Sequence, residues 1–243
     1  MSSHPWSKLG ADIFELGWQQ ILIMVDYWSG YFEVQELKQS TSASVIHAFK
    51  VQSARHGIPE VLVTDNGTQF SSSEFVTFAK TWGIEHNTSS LQYPQSNGKV
   101  ENSIKVCKAL LRKARAHKQD PILALLDCRN TTSKCIGTSL VQRLKGRRTW
   151  TLLPTHTKLL EPKVYHQTRD KLAKQKAIQK EPCNTKNRLL MPLQSDQAIR
   201  IKLPGNTKWS LGSCAKTLPN HSYEVEVAGR RCCQNRCHPR TTA

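Results

Sequence analysis

Three acidic side chains stand where a carboxylate can do chemistry as well as solvate a surface. Asp12 lies inside Leu9-Gly10-Ala11-Asp12-Ile13-Phe14, a run that reads as a short strand. Asp65 closes the apolar run Val61-Leu62-Val63-Thr64 and precedes the turn pair Asn66-Gly67. Glu101 falls in the first turn of a long helix predicted from about Lys99 to His117, where the helix dipole favours a negative charge. Acids at or just after the strands of an α/β sheet sit where ligands bind. Three hard oxygen donors from separate elements suit Mg²⁺ or Mn²⁺. A pair of such ions serves phosphoryl transfer, one activating the attacking oxygen and the other stabilising the leaving one. Singly, each acid also has a plain structural explanation: an Asp at a strand end caps a turn, and a Glu at a helix start complements the dipole. The chemistry rests on their combination.

The long helix adds cations to the same stripe. Glu101, Lys105, Lys108 and Arg112 fall at i, i+4, i+7 and i+11, one face of a helix, with Val100, Ile104, Cys107, Leu111 and Ala114 opposite. A carboxylate in line with three cations suits a stripe that meets a phosphate backbone. Glu101 and Lys105 also form an ordinary surface pair, worth roughly 0.2–0.5 kcal/mol.

The surrounding elements alternate. Ile21-Leu22-Ile23-Met24-Val25 is a continuous apolar run, as a buried strand requires, and residues 31–37 read as its hairpin partner. A helix is predicted over residues 42–56, stopped by Gly57 and Pro59. A second follows Ser71-Ser72-Ser73, with Phe75, Phe78, Ala79 and Trp82 on one face and Gly83 at its end. A short strand is read over 84–88, and helices over 121–129 and 168–180. This order predicts a mixed α/β sheet with helices on its faces. From residue 189 onward short alternating pieces, 198–202 and 223–227, predict a small β barrel or sandwich.

Charge is lopsided. The 243 residues carry 35 Lys/Arg and 18 Asp/Glu, a formal net charge of +17. Residues 1–120 are nearly balanced, with 12 Lys/Arg against 11 Asp/Glu, whereas residues 121–243 hold 23 against 7. That asymmetry points to an anionic partner, of which nucleic acid is the usual one; a basic solvated tail is the plainer alternative. No apolar run approaches the ~18 residues of a membrane span. Eight irregularly spaced Cys do not make a disulfide scaffold, so a reduced intracellular chain is expected. Cys232, Cys233, Cys237 and His238 lack the spacing of a tetrahedral zinc site. Asp26, the rival for the first acid, sits beside Tyr27-Trp28 where a turn is expected. His56 and His86 stand alone, and no Ser-His-Asp set, P-loop or dinucleotide fingerprint occurs.

Asp65-Asn66-Gly67-Thr68-Gln69-Phe70 and Tyr93-Pro94-Gln95-Ser96-Asn97-Gly98-Lys99-Val100-Glu101 together resemble the catalytic core of retroviral and gypsy-type long-terminal-repeat retrotransposon integrases. The 35 residues between Asp65 and Glu101 match the spacing of that family's D,D-35-E motif, and Asp12 fits its first Asp. The resemblance is close over about residues 6–155 and weaker beyond. It implies a ribonuclease-H-like mixed sheet flanked by helices over 1–155, a basic helical linker over 156–188, and an SH3-like β-barrel over 189–243. It implies that Asp12, Asp65 and Glu101 hold two Mg²⁺ or Mn²⁺ ions for DNA end processing and strand transfer. Lys105 and Lys108 match lysines that contact element DNA; Tyr93, Gln95 and Asn97 fall in the family's mobile catalytic loop, and Asn66 follows the second Asp as in relatives. The implied partners are element ends, target DNA and further copies of the chain, in the nucleus.

The family usually carries a His-His-Cys-Cys zinc domain ahead of the core; here the core starts almost at Met1, and that domain is expected to be missing. Leu91, Val100-Glu101-Asn102 and Thr131-Thr132-Ser133-Lys134-Cys135 depart from the family pattern. Such changes fit a decayed or host-retained copy as well as an active enzyme, so the alternative is a non-catalytic DNA- or chromatin-binding protein derived from an integrase. A ribonuclease-H or resolvase-type nuclease shares the fold and metals, but not the spacing.

Overall fold

A computed structural model describes residues 4–88, 98–163, 170–171, 174, 190–202, 209–218, 222–227, 229–235 and 239–241. The chain divides into two compact units, Met1–Thr88 with Asn97–Gln179, and Ser89–Ser96 with Lys180–Ala243. Among the described residues no helix is long and apolar enough to cross a membrane.

The first unit is built on a five-stranded sheet. Strands β1 (Lys8–Leu16), β2 (Gln19–Asp26) and β3 (Phe32–Leu37) form an antiparallel meander. Strands β4 (Val61–Thr64) and β5 (Glu85–Thr88) continue the sheet parallel to β1, in the order β3-β2-β1-β4-β5. The apolar run of β2 is buried on both faces. Leu22 and Met24 join one core, and Ile21, Ile23 and Val25 the other, as a two-residue period dictates. Helices cover both faces, which is why this strand shows no polar alternation.

On the first face lie α1 (Ser42–His56), the short α2 (Thr68–Ser71) and α3 (Ser73–Thr81). Thr41 caps α1 by accepting from the Ser44 N–H, and Gly57 ends it at φ 97°. Phe75 centres this core, with ring centroids 5.4 Å from Phe70 and 5.7 Å from both Phe49 and Phe78. On the other face α4 (Gly98–Ala116) buries Val100, Ser103, Cys107, Leu111 and Ala114 against Phe14, Leu16 and Ile23. Ser103 thus stands in the buried stripe where the sequence suggested Ile104, which is only partly buried. Helix α5 (Pro121–Asn130) packs beside α4, with Asp120 as its N-cap. A six-residue helix, α6 (Leu140–Lys145), was not foreseen; Ser139 and Gln142 close it with a reciprocal capping box.

Glu33 on edge strand β3 ties the two faces together. It accepts from Arg129 of α5 at 2.8 Å, from the Tyr31 hydroxyl at 3.1 Å, and lies 3.1 Å from His56 Nε2 of α1. The side chains of Glu33, Arg129 and His56 are all largely withdrawn from water. The opposite edge strand, β5, has four residues, Glu-His-Asn-Thr, and is mostly exposed.

The second unit is an antiparallel sheet of β6 (Ala198–Ile201), β7 (Ser210–Leu218), β8 (Ser222–Val227), β9 (Arg230–Asn235) and β10 (Arg240–Thr241), in the order β10-β6-β7-β8-β9. Leu193, Ile199, Ile201, Cys214, Tyr223, Val225 and Val227 form its core. Gly212 lies where β7 crowds β8: a Cβ there would collide with the Glu226 carbonyl oxygen and stand 2.7 Å from Val227 Cγ2. Backbone cannot yield as a side-chain tip can, so Gly212→Ala should destabilise this unit by about 1–3 kcal/mol. Hydrogen exchange reads this locally: β7 and β8 amides lose protection while those of β1 and β2 do not. The predicted helix over 168–180 lies outside the described residues except for Asp170, Lys171 and Lys174, which are helical.

Candidate active site

Asp12 owes its position to the pleat of β1. Leu9 and Ala11 point to the α1 side and Phe14 and Leu16 to the α4 side, so Asp12, two residues before Phe14, shares the α4 side. It is half-buried, and one carboxylate oxygen accepts from the Ile13 N–H at 2.7 Å. Its carboxyl is pushed up to about 6: burial is the largest cause, and the charges of Asp65 and then Glu101 act in the same direction, against the Ile13 N–H and Lys108. Asp65 and Glu101 therefore both lie within electrostatic reach of Asp12.

Asp65 leaves the end of β4, next to β1 in the sheet, and its Oδ1 accepts from the Gly67 N–H at 3.1 Å. That local bond closes the Asp65-Asn66-Gly67 turn. Two further contacts, not anticipated from sequence, brace it. The Thr64 hydroxyl donates to the Asp65 carbonyl oxygen at 2.8 Å, so His86 Nε2, also 2.8 Å from that hydroxyl, is the donor to it. Burial lowers the His86 pKa, in keeping with a neutral ring. Gln69 Nε2 donates to the Ser40 hydroxyl at 2.8 Å, fastening the following segment. Glu101 is half-buried in the first turn of α4, on the flank of its apolar stripe.

Lys108 stands 5.2 Å from the centroid of the Phe14 ring and lowers the Asp12 pKa. Lys105 and Arg112 lie exposed on the same flank, and Asn66 is exposed in its turn. Lys99 Nζ donates to the Tyr27 carbonyl oxygen at 2.5 Å, anchoring the start of α4 to the end of β2; its role was not read from sequence. Tyr93, Gln95 and Asn97 lie outside the described residues. Asp26 is fully buried and wholly used by its own turn, accepting from the Trp28 and Ser29 N–H groups and the Ser29 hydroxyl. Cys232 is half-buried against the second core; the side chain of Cys233, and all of Cys237 and His238, fall outside the described residues.

Among the described residues no group of three His, Cys, Asp or Glu side chains is drawn close enough to hold a metal ion as it stands. The donor set nevertheless fits a hard divalent cation. All three groups are carboxylates, and Asp12 is partly desolvated beside two like charges, an arrangement that a dication would relieve.

A central strand bearing one acid, a parallel neighbour ending in a second, and a covering helix opening on a third define a ribonuclease-H-like fold. Residues 2–94 match the integrase core domain family. The Caenorhabditis elegans protein K02A2.6 is 26% identical over 93% of this chain, which spans 18% of that protein. Among solved structures, the simian T-cell lymphotropic virus intasome is similar with a TM-score of 0.68 at 17% identity, covering 100% of this chain and 80% of that one. The HTLV-2 integrase catalytic core, in its trimeric form with magnesium, has a TM-score of 0.50 at 24% identity, over 59% of this chain and 99% of that one. The chain spans less than a fifth of the length of the curated relatives it matches, 18% and 8% in two of them.

Proposed function

We infer that the chain works as an integrase-type polynucleotidyl transferase, cleaving a phosphodiester at a DNA end and joining the new 3′-hydroxyl to target DNA. The observation that carries this reading is that Asp65 and Glu101, from two other elements, both lie within electrostatic reach of the half-buried Asp12. These three carboxylates would hold two Mg²⁺ or Mn²⁺ ions; the HTLV-2 core in complex with magnesium supports that choice. Bound there, the metal supplies Lewis-acid stabilisation of charge on the attacking and leaving oxygens. The protein's own task is positioning. The Asp65 turn, braced by Thr64 and Gln69, fixes one carboxylate. Packing of Val100 and Ser103 fixes the helix that carries another. Lys108 offsets part of the local negative charge, so that a phosphate can approach. Lys105, Lys108 and Arg112 bind backbone phosphates along α4, and Asn66, Tyr93, Gln95 and Asn97 orient the scissile one. Residues 189–243 serve as an SH3-like DNA-binding module joined to the 1–155 core by a basic linker over 156–188. The working form is a homo-oligomer, which the trimeric HTLV-2 core supports, and its place is the nucleus, where its substrate is.

The test is a labelled duplex incubated with purified protein and Mg²⁺ or Mn²⁺. Metal-dependent nicking or joining, abolished by EDTA, is expected. Salt-sensitive binding without turnover at any metal concentration would count against the transferase and favour a DNA-binding protein descended from an integrase. That second reading has its own support in the departures from the family pattern at Leu91, Val100-Glu101-Asn102 and Thr131-Thr132-Ser133-Lys134-Cys135.

A further inference from the structure

The flank of α4 that starts at Glu101 does not end at Arg112. Continuing the alternation of four and three residues from Glu101, Lys105, Lys108 and Arg112 gives Arg115. Between Asn102 and Gln119 the sequence holds six Lys/Arg and no Asp or Glu. Arg115 meets the tip of the β1–β2 hairpin: its guanidinium donates to Gln19 Oε1 and lies beside Gly17, which turns the hairpin at φ 66°. The next residue, Trp18, is more exposed than any other large apolar side chain described, at 105% of its reference area. An indole left wholly in water at a pinned turn is unusual, because tryptophan gains more than most residues from being covered. Glu15 and Glu36, near the tip, keep their charge while hydrogen-bonded to Gln20 and Gln19, but the six cations of the 102–119 stretch outnumber them.

We propose that Trp18 and Arg115 form a second DNA contact: the duplex held at the acids runs along α4, Arg115 takes a phosphate, and Trp18 packs on the deoxyribose edge beyond it. The inference rests on the transferase reading for where the duplex begins. Charge selects the partner: the stripe linking Trp18 to the acids is basic throughout, which suits a polyanion lying lengthwise better than a protein patch. Geometry sets the distance. Fourteen residues separate Glu101 from Arg115, about 21 Å of helix axis, or about six base-pair steps of duplex.

Both side chains are exposed, so variants should fold as the wild type does. With the full chain and a blunt fluorescein-labelled duplex, W18A should weaken binding about fivefold without changing its salt dependence, as loss of a partly covered apolar contact would. Arg115→Gln should weaken binding and lower the salt slope by about one. A photoreactive benzoylphenylalanine replacing Trp18 should crosslink about six base pairs from the cleaved bond. Wild-type affinity in both variants, or no crosslink, overturns the proposal even if the wild type cleaves DNA normally. So does a shift of oligomeric state in W18A with unchanged DNA affinity, which would make the tip a protein interface. A wild type that binds and crosslinks through position 18 but never cleaves would instead sink the transferase reading and leave this contact standing.

Discussion

Asp65→Asn should lower metal-dependent strand cleavage by at least about a thousandfold, with DNA binding largely intact. The amide keeps an oxygen for the Gly67 N–H, so the turn that aims the side chain survives. What disappears is a negative charge, and with it one of the three donors that would hold the cations. Because the Asp65 charge repels that of Asp12, its removal gives the variant no cause to unfold, and thermal melts at or above the wild-type value are expected. On the transferase reading the salt-dependent affinity would belong to the cations of α4 and the second unit, which the substitution leaves alone. Rates from a labelled duplex under single-turnover conditions, read beside anisotropy titrations, separate the two properties. Cleavage at the wild-type rate would remove Asp65 from the site.

Glu33→Gln should cost about 3–5 kcal/mol of stability, the range for removing one partner of a buried ion pair. The loss has little to do with the carboxylate alone. Arg129 and His56 come from helices on opposite faces of the sheet, and neutralising Glu33 leaves the Arg129 charge largely buried without its counter-ion. The pH dependence provides a second, independent reading. Burial acts to raise the Glu33 pKa, but the hydrogen bond from His56, the Arg129 charge and the Tyr31 hydroxyl outweigh it, and the net effect is a lowering from 4.5. A group whose folded pKa is depressed binds more protons unfolded than folded, so its contribution is complete above the unfolded value. It is lost as pH falls below 4.5 through the lower folded value. Urea denaturation should show this acid-side decline in the wild type and a flatter profile in Glu33→Gln; parallel profiles would mean that other carboxylates govern it.

The meander, the parallel strands and the main helices of the first unit were legible because their residues obey local rules. Five consecutive apolar residues make β2 a buried strand, Gly57 stops α1, and the triple serine caps α3. Helix α6 was missed because six residues are too few for a period; only the Ser139–Gln142 box and Gly146 announce it. Strand β9, Arg-Arg-Cys-Cys-Gln-Asn, has little intrinsic strand preference, and its pairing with Tyr223–Val227 imposes the conformation. At the candidate site, the acids were proposed from type, spacing and family resemblance, whereas the contacts of Thr64, His86 and Lys99 were not anticipated. Their roles depend on neighbours across the sheet, such as Thr64 and His86, 22 residues apart, and no local pattern carries that information. The Glu33–Arg129 pair, 96 residues apart, was hidden for the same reason.

The two borders of the first unit's sheet set how copies of the chain can meet. One border, β5, is four residues long and polar; the other, β3, carries Glu33 and Glu36 and is held by Arg129 and His56. Short length and inward-facing charge both discourage a foreign strand from zipping on. Self-association of this unit therefore falls to helical or loop surfaces, and crowding during synthesis or storage should not readily drive it into cross-strand polymers.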